Sequence, residues 1–123
     1  MTKWKESLKI MTELEVGKAE NVNKILSALG LCARAGKLIF GVPMICDAMR
    51  KGGAQKPVLI VEAADTSDGT HKKIADKSAF YQVRVVRIDC DGATLASALG
   101  KTSSLAAVAI KDKEMCKIVE KYI

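Results

Sequence analysis

The stretch Ala35–Gly53, AGKLIFGVPMICDAMRKGG, holds a strand, a glycine turn, a helix and a glycine stop in direct succession. Lys37 to Phe40 is apolar enough for a buried strand. Gly41 then permits a sharp turn or a close approach of the backbone to a ligand. Pro43 suits the first helical position, where its missing N–H costs nothing. The same proline pushes Val42 towards the extended region. The helix runs on to Lys51, with Ile45, Cys46 and Met49 available for the core. Arg50 and Lys51 occupy its last turn, where cations favour the dipole, and Gly52-Gly53 ends it. A strand that feeds a helix through a glycine presents backbone N–H groups to an anion. The local pattern describes a tight βα turn equally well.

Outward from this unit, strands and helices alternate. Asn23 to Ala35 predicts a helix with Ile25, Leu26, Leu29 and Cys32 on one face and Asn21 or Asn23 as its cap. Pro57 opens a strand over Val58–Val61, whose continuous apolar run suits burial on both faces. The polar loop ADTSDG, residues 64–69, leads to a helix over Thr70–Tyr81 capped by Asp68 or Thr70. Arg84–Ile88 is the next strand, and Asp91 starts a helix that Gly100 stops. After the loop Lys101–Ser104 come a last strand, Leu105–Ile110, and a last helix capped by Asp112. The pattern implies an α/β sandwich with helices on both sides of a buried sheet. Residues 23–123 form that domain. Residues 1–22 read as an extension in which Trp4, Leu8 and Met11 recur at helical spacing, interrupted at Gly17.

Composition narrows the function. The 123 residues are 49% hydrophobic and 28% charged, with a net charge of +6, as expected for one domain with a real core and an anionic partner. Aromatic residues are only 4%, too few for a module that stacks bases on a sheet. No run spans a bilayer and no secretory pattern is visible, so the expectation is a cytoplasmic chain without membrane partners. Cys32, Cys46, Cys90 and Cys116 form no C-x-x-C pair, and His71 is the single histidine. The thiols therefore read as structural and no metal or cofactor is expected. His71 shares a stripe with Ile74 and Ser78 and reads as a packed or rim histidine, since no nucleophile accompanies it. Lys72, Lys73 and Lys77 read as a solvated face. Gly30–Leu38 has the wrong spacing for a phosphate loop, and Asp65–Gly69 lacks the closing glutamate of a calcium loop. What remains is Gly36-Lys37 with Gly41 to Met44, and the loop Gly100–Leu105. Backbone N–H groups, hydroxyls and lysines there suit a sugar–phosphate backbone.

Three segments, KILSALGLCARAGKLIFG (24–41), TSDGTHKKIADKSAFYQV (66–83) and TLASALGKTSSLAAVAI (94–110), resemble the kink-turn RNA-binding ribosomal proteins of the L7Ae/L30e group, and most closely its small bacterial members. The resemblance covers Asn23 to Ile110. It implies a three-layer α/β/α sandwich with a small mixed sheet and no enzymatic activity. It also implies binding of structured RNA, ribosomal RNA above all, through the glycine turn and the loop before the last strand. Together with the neighbouring cations, this nominates Lys37, Gly41, Val42, Met44, Arg50, Lys51, Lys101, Thr102, Ser103, Ser104 and Leu105 as one RNA-binding end. The group reads kink-turns with G-x-N-E-x-x-K. This chain has Gly41-Val42-Pro43-Met44-Ile45-Cys46-Asp47, in which only the glycine matches. Asp47 would repel phosphate if it faced the RNA. The apolar Val42-Pro43-Met44 edge also fits an alternative, a protein–protein adaptor that kept the fold.

Overall fold

The computed structural model describes residues 15–123, so the Trp4–Met11 helical pattern lies outside the described residues. The strands are β1 (Glu15–Val16), β2 (Leu38–Phe40), β3 (Leu59–Ala63), β4 (Arg84–Ile88) and β5 (Ala107–Ile110). The helices are α1 (Val22–Arg34), α2 (Val42–Lys51), α3 (Asp68–Tyr81), α4 (Gly92–Ala98) and α5 (Lys113–Glu120). The strands form one mixed sheet in the order β1-β4-β3-β5-β2. β1, β4 and β3 run parallel, while β5 is antiparallel to both β3 and β2.

Side-chain alternation divides the core into two layers. Leu59, Val61, Val86, Val108 and Ile110 face α1, α4 and α5 through Ile25, Leu29, Leu95 and Val119. Ile60, Val85, Ala107 and Ala109 face α2 and α3 through Ile45, Met49 and Ile74. The fold is thus the expected α/β/α sandwich, and β3 is buried along its whole length. Burial pushes the thiols of Cys32 and Cys90 up, and that of Cys116 to about 11, so these groups pack as neutral side chains.

Several details depart from the local reading. β3 runs two residues past Val61 and β5 starts two residues after Leu105. Ser67, not Asp68 or Thr70, caps α3 by accepting from the Thr70 N–H. Asn21 precedes α1 without capping it; its amide donates to the Tyr122 carbonyl at 3.0 Å. Asp91 and Asp112 cap α4 and α5 as expected. Of the first 22 residues, Glu15 and Val16 form an edge strand that pairs with Val86 and Arg87, and a short 3-10 turn at Ala19–Asn21 leads into α1. Gly17 donates to the Arg87 carbonyl at 2.8 Å, and a Cβ there would touch Ile25 and Ile88 at 3.4 Å. Arg84 holds both Glu15, at 2.6 Å, and Glu120, at 2.9 Å. Its guanidinium keeps the Glu15 carboxyl below the usual range.

Glu62 is fully buried in β3, on the α3 side of the sheet. Its Oε2 accepts from Arg87 Nη2 at 2.8 Å and lies 2.7 Å from His71 Nδ1. Glu62 and Arg87 are register partners on adjacent strands, and His71 reaches them from the first turn of α3. Glu62 Oε1 and Arg87 Nε have no hydrogen-bond partner among the described residues. Removing one member of a buried pair strands the other charge. Because Arg87 and His71 remain near 30% exposed, water softens that penalty. Glu62→Ala is therefore expected to cost about 2–3 kcal/mol in urea unfolding. The double change Glu62→Met with Arg87→Met should recover most of that loss.

Candidate nucleic-acid interface

Strand direction decides which loops share an end. β2, β3 and β4 finish at the end where β5 begins. At that end Gly41 donates to the Ala107 carbonyl at 3.2 Å, Ala107 faces Glu62 in register and Glu62 faces Arg87. One row of residues thus crosses the sheet from Gly41 to Arg87. Above it emerge the N-termini of α2, α3 and α4 and the loop before β5.

Gly41 has φ 87° and ψ 148°, a left-handed backbone region open to glycine and strained for other residues. It serves as the N-cap of α2 without a side chain to cover the helix end. The first N–H groups of a helix have no partner within it. Those of Val42 and Met44 therefore remain for an outside acceptor, whereas the Ile45 N–H closes on the Gly41 carbonyl at 3.0 Å. Met44 is 60% exposed, while Val42 is buried beneath it.

The loop Lys101–Leu105 lies beside this turn. Lys101 Nζ sits 4.2 Å from the centre of the Phe40 ring, a cation–π contact that ties the loop to β2. Thr102, Ser103 and Ser104 are exposed, and Leu105 is half-buried against the core. Gly92 fixes the loop from the other side. Its carbonyl accepts from Leu105 N–H at 3.1 Å, and its own N–H donates to Asp65 at 2.9 Å. Thr66 Oγ1 donates to Ala63 at 2.7 Å and lies 3.3 Å from the Ala106 carbonyl. The loops at this end are laced to one another by main-chain groups and by the short side chains of Asp65 and Thr66.

The structure brings together Gly41, Met44 and Lys101–Ser104, but not all of the nominated residues. Lys37 lies at the opposite end, where its carbonyl accepts from the Lys111 N–H at 3.1 Å. The strand between it and Gly41 spans about 13 Å. Arg50 and Lys51 close α2, about 15 Å from its start. Both are engaged by Asp47, Lys51 at 3.1 Å. These three cations therefore belong to another surface, and the single end expected for them is corrected. Val42 is corrected too: its side chain is core, so only its backbone faces outward. Asp47 is held below its usual range by hydrogen bonds from Lys51 and Arg50, so its charge is matched on its own helix. The Glu62–His71–Arg87 group went unread in the sequence, because only the β3–β4 register brings Arg87 to Glu62. Lys72 does pair with Asp76, at 3.0 Å, on the solvated side of α3. No cluster of His, Cys, Asp and Glu suited to a metal occurs among the described residues. No helix there is long and apolar enough to cross a membrane.

The layers, the strand order and the glycine-started helix beside the loop before β5 define a small three-layer α/β/α protein with a mixed sheet. The profile of the ribosomal protein L7Ae/L30e/S12e/Gadd45 family matches residues 23–120, and the chain belongs to that family. An RNA-binding protein YlxQ from Enterococcus faecium is 38% identical over 63 residues. That match covers 51% of this chain and 58% of the relative, little more than half of its length. The RNA-binding protein YlxQ of Bacillus subtilis (strain 168) is 34% identical over 85 residues, 69% of this chain and 80% of the relative. A solved protein of unknown function from Bacillus halodurans superposes with a TM-score of 0.66 at 29% identity, covering 79% of this chain and 97% of that one. A Giardia lamblia 15.5kD RNA binding protein superposes with a TM-score of 0.73, covering 90% and 94% of the two chains. Its 16% identity makes that a likeness of fold alone.

Gly92 provides a test of how this end is held. A Cβ there would lie 2.4 Å from Ser104 Oγ and 2.7 Å from the Leu105 carbonyl oxygen. The serine can turn away, but the carbonyl cannot move without the loop. Gly92→Ala is expected to cost about 1–3 kcal/mol. In amide NMR its shifts should concentrate at residues 101–106 and leave α1 and α5 unchanged.

Proposed function

We propose that this chain is a non-enzymatic, cytoplasmic protein that binds structured RNA, ribosomal RNA foremost. The contact surface is the end built from Gly41, Met44 and Lys101–Ser104. The single observation that carries the reading is the convergence there of an uncapped helix N-terminus with a loop offering a cation and three hydroxyl side chains. Helix N-termini and hydroxyl groups contact phosphate and sugar, and lysine adds charge without base preference. Membership of the family supports the reading, as do the names of the two YlxQ relatives, which describe RNA binding for those proteins.

Lys101→Ala should weaken binding to a ribosomal RNA fragment regardless of its sequence. It should also lower the slope of log affinity against log salt by about 0.7–0.9. Lys37→Ala, at the far end, serves as the comparison and should leave both quantities unchanged. Equal effects of the two substitutions, or an effect of Lys37→Ala alone, would refute the placement.

The base-reading positions of α2 are altered, with Pro43, Met44 and Asp47 where the family's kink-turn readers carry polar side chains. Restoring them by Pro43→Asn, Met44→Glu and Asp47→Lys should tighten binding to a simple kink-turn. Each good base contact is worth about 1–3 kcal/mol. A gel-shift titration in which the unaltered chain already binds that RNA as tightly as the triple variant would show that Pro43 and Met44 read it by other means.

A further inference from the structure

We propose that the open edge of β2, with the flank of α2, is a docking groove for an extended acidic segment of a protein partner. β2 is the last strand of the sheet. Its inward bonds come from Gly41 N–H to the Ala107 carbonyl and from Lys111 N–H to the Lys37 carbonyl. In an antiparallel ladder these bonds alternate. Ile39 therefore turns towards β5, while the N–H and C=O of both Leu38 and Phe40 point outward. Beside this edge lies a groove of about 420 Å³ between β2 and α2. Ile39, Met44 and Ala48 make it apolar, Gln55, Lys51 and Lys111 line its far end, and its one carboxylate, Asp47, is answered by Arg50 and Lys51, which leaves the groove's rim positive. Lys111 has no ion-pair partner among the described residues.

Charge and hydrogen bonding select the occupant. Short edges flanked by lysine resist pairing with another copy of themselves. A two-fold pairing of β2 on a second β2 would set Leu38 against Phe40. Only those two residues of each short strand would pair, and Lys111 of both grooves would stay unanswered. A phosphate backbone would leave the outward carbonyls and the apolar floor unmatched. An added peptide strand satisfies the outward donors and acceptors together and seats alternate side chains in the groove. Acidic residues in that strand answer Lys111 and the positive charge that Arg50 and Lys51 leave in excess of Asp47.

The full chain, followed by backbone-amide NMR, would be titrated with two capped octapeptides, one alternating Glu and Val, the other Lys and Val. The Glu–Val peptide is expected to shift the Leu38 and Phe40 amides saturably and to slow their hydrogen exchange. The Lys–Val peptide should bind about tenfold more weakly or not at all. The charge changes Lys111→Glu, at a half-buried position, and Gln55→Glu, at an exposed one, should together weaken the Glu–Val peptide about tenfold. Should that variant fail to fold, the comparison of the two peptides on the unaltered chain decides alone. Absence of shifts at millimolar peptide, or equal binding of the two, would overturn the proposal. So would concentration-dependent doubling of the mass, which gives the edge to a second copy. A ribosomal RNA fragment that shifts the Leu38 amide and slows its exchange as the peptide does would overturn it in favour of nucleic acid; a shift at Phe40 alone reports RNA at the neighbouring glycine turn and leaves the groove to the peptide.

Discussion

The direction of β5 governs where everything at the candidate interface falls. β2, β3 and β4 all end on one side of the sheet, and a parallel β5 would have sent its preceding loop to the other. Because β5 runs antiparallel to both neighbours, residues 101–106 emerge beside the start of α2. Antiparallel pairing places the Gly41 N–H against the Ala107 carbonyl, and Phe40 then lies under Lys101. In open α/β sheets the crevice beyond the strand ends is the usual place for a ligand. Here that position is bounded by the main chain of Gly92 and Ala106 and by the Asp65 carboxylate, with the Lys101 side chain over Phe40 as a further tie.

The layered fold was legible because its signals are local. Ile25, Leu29 and Cys32 recur at helical spacing, and the run Leu59–Val61 is apolar enough for a strand covered on both sides. The glycines at 41, 52 and 100 mark real boundaries, each with positive φ. Information that depends on register was not legible. Glu62 follows three apolar residues and ends up fully buried, but its partner Arg87 stands on the neighbouring strand. Lys37 and Arg50 are close to Gly41 in the sequence, yet an extended strand and a full helix carry them to the opposite end. A two-residue strand such as β1 leaves no periodicity to detect. The loop at 100–105 was legible from its hydroxyl and basic residues, but its polar composition alone does not say which turn it adjoins.

The altered face of α2 changes what this end offers a ligand. Proline at 43 removes one N–H from the helix start, and Met44 places an exposed thioether where polar readers stand in the resemblance motif. Asp47 sits one turn further on, with its charge answered by Lys51 and Arg50. The helix thus presents backbone donors and apolar surface, with hydroxyl groups and a lysine supplied by the adjacent loop. Such a surface favours contacts to sugar and phosphate over a readout of base edges. It also continues without a break into the apolar groove along β2, so one helix borders two chemically different surfaces.

Arg84 joins Glu15 to Glu120, and Asn21 reaches the Tyr122 carbonyl. Each exposed ion pair contributes little by itself. Their arrangement nevertheless closes the described chain into something near a ring, with one guanidinium as the clasp. Fraying of β1 therefore removes a tether from α5, and unwinding of α5 loosens β1 in turn. The clasp stands at the β1–β4 margin, on the far side of the sheet from the edge strand β2. A disturbance at the clasp thus bears first on that margin of the sheet.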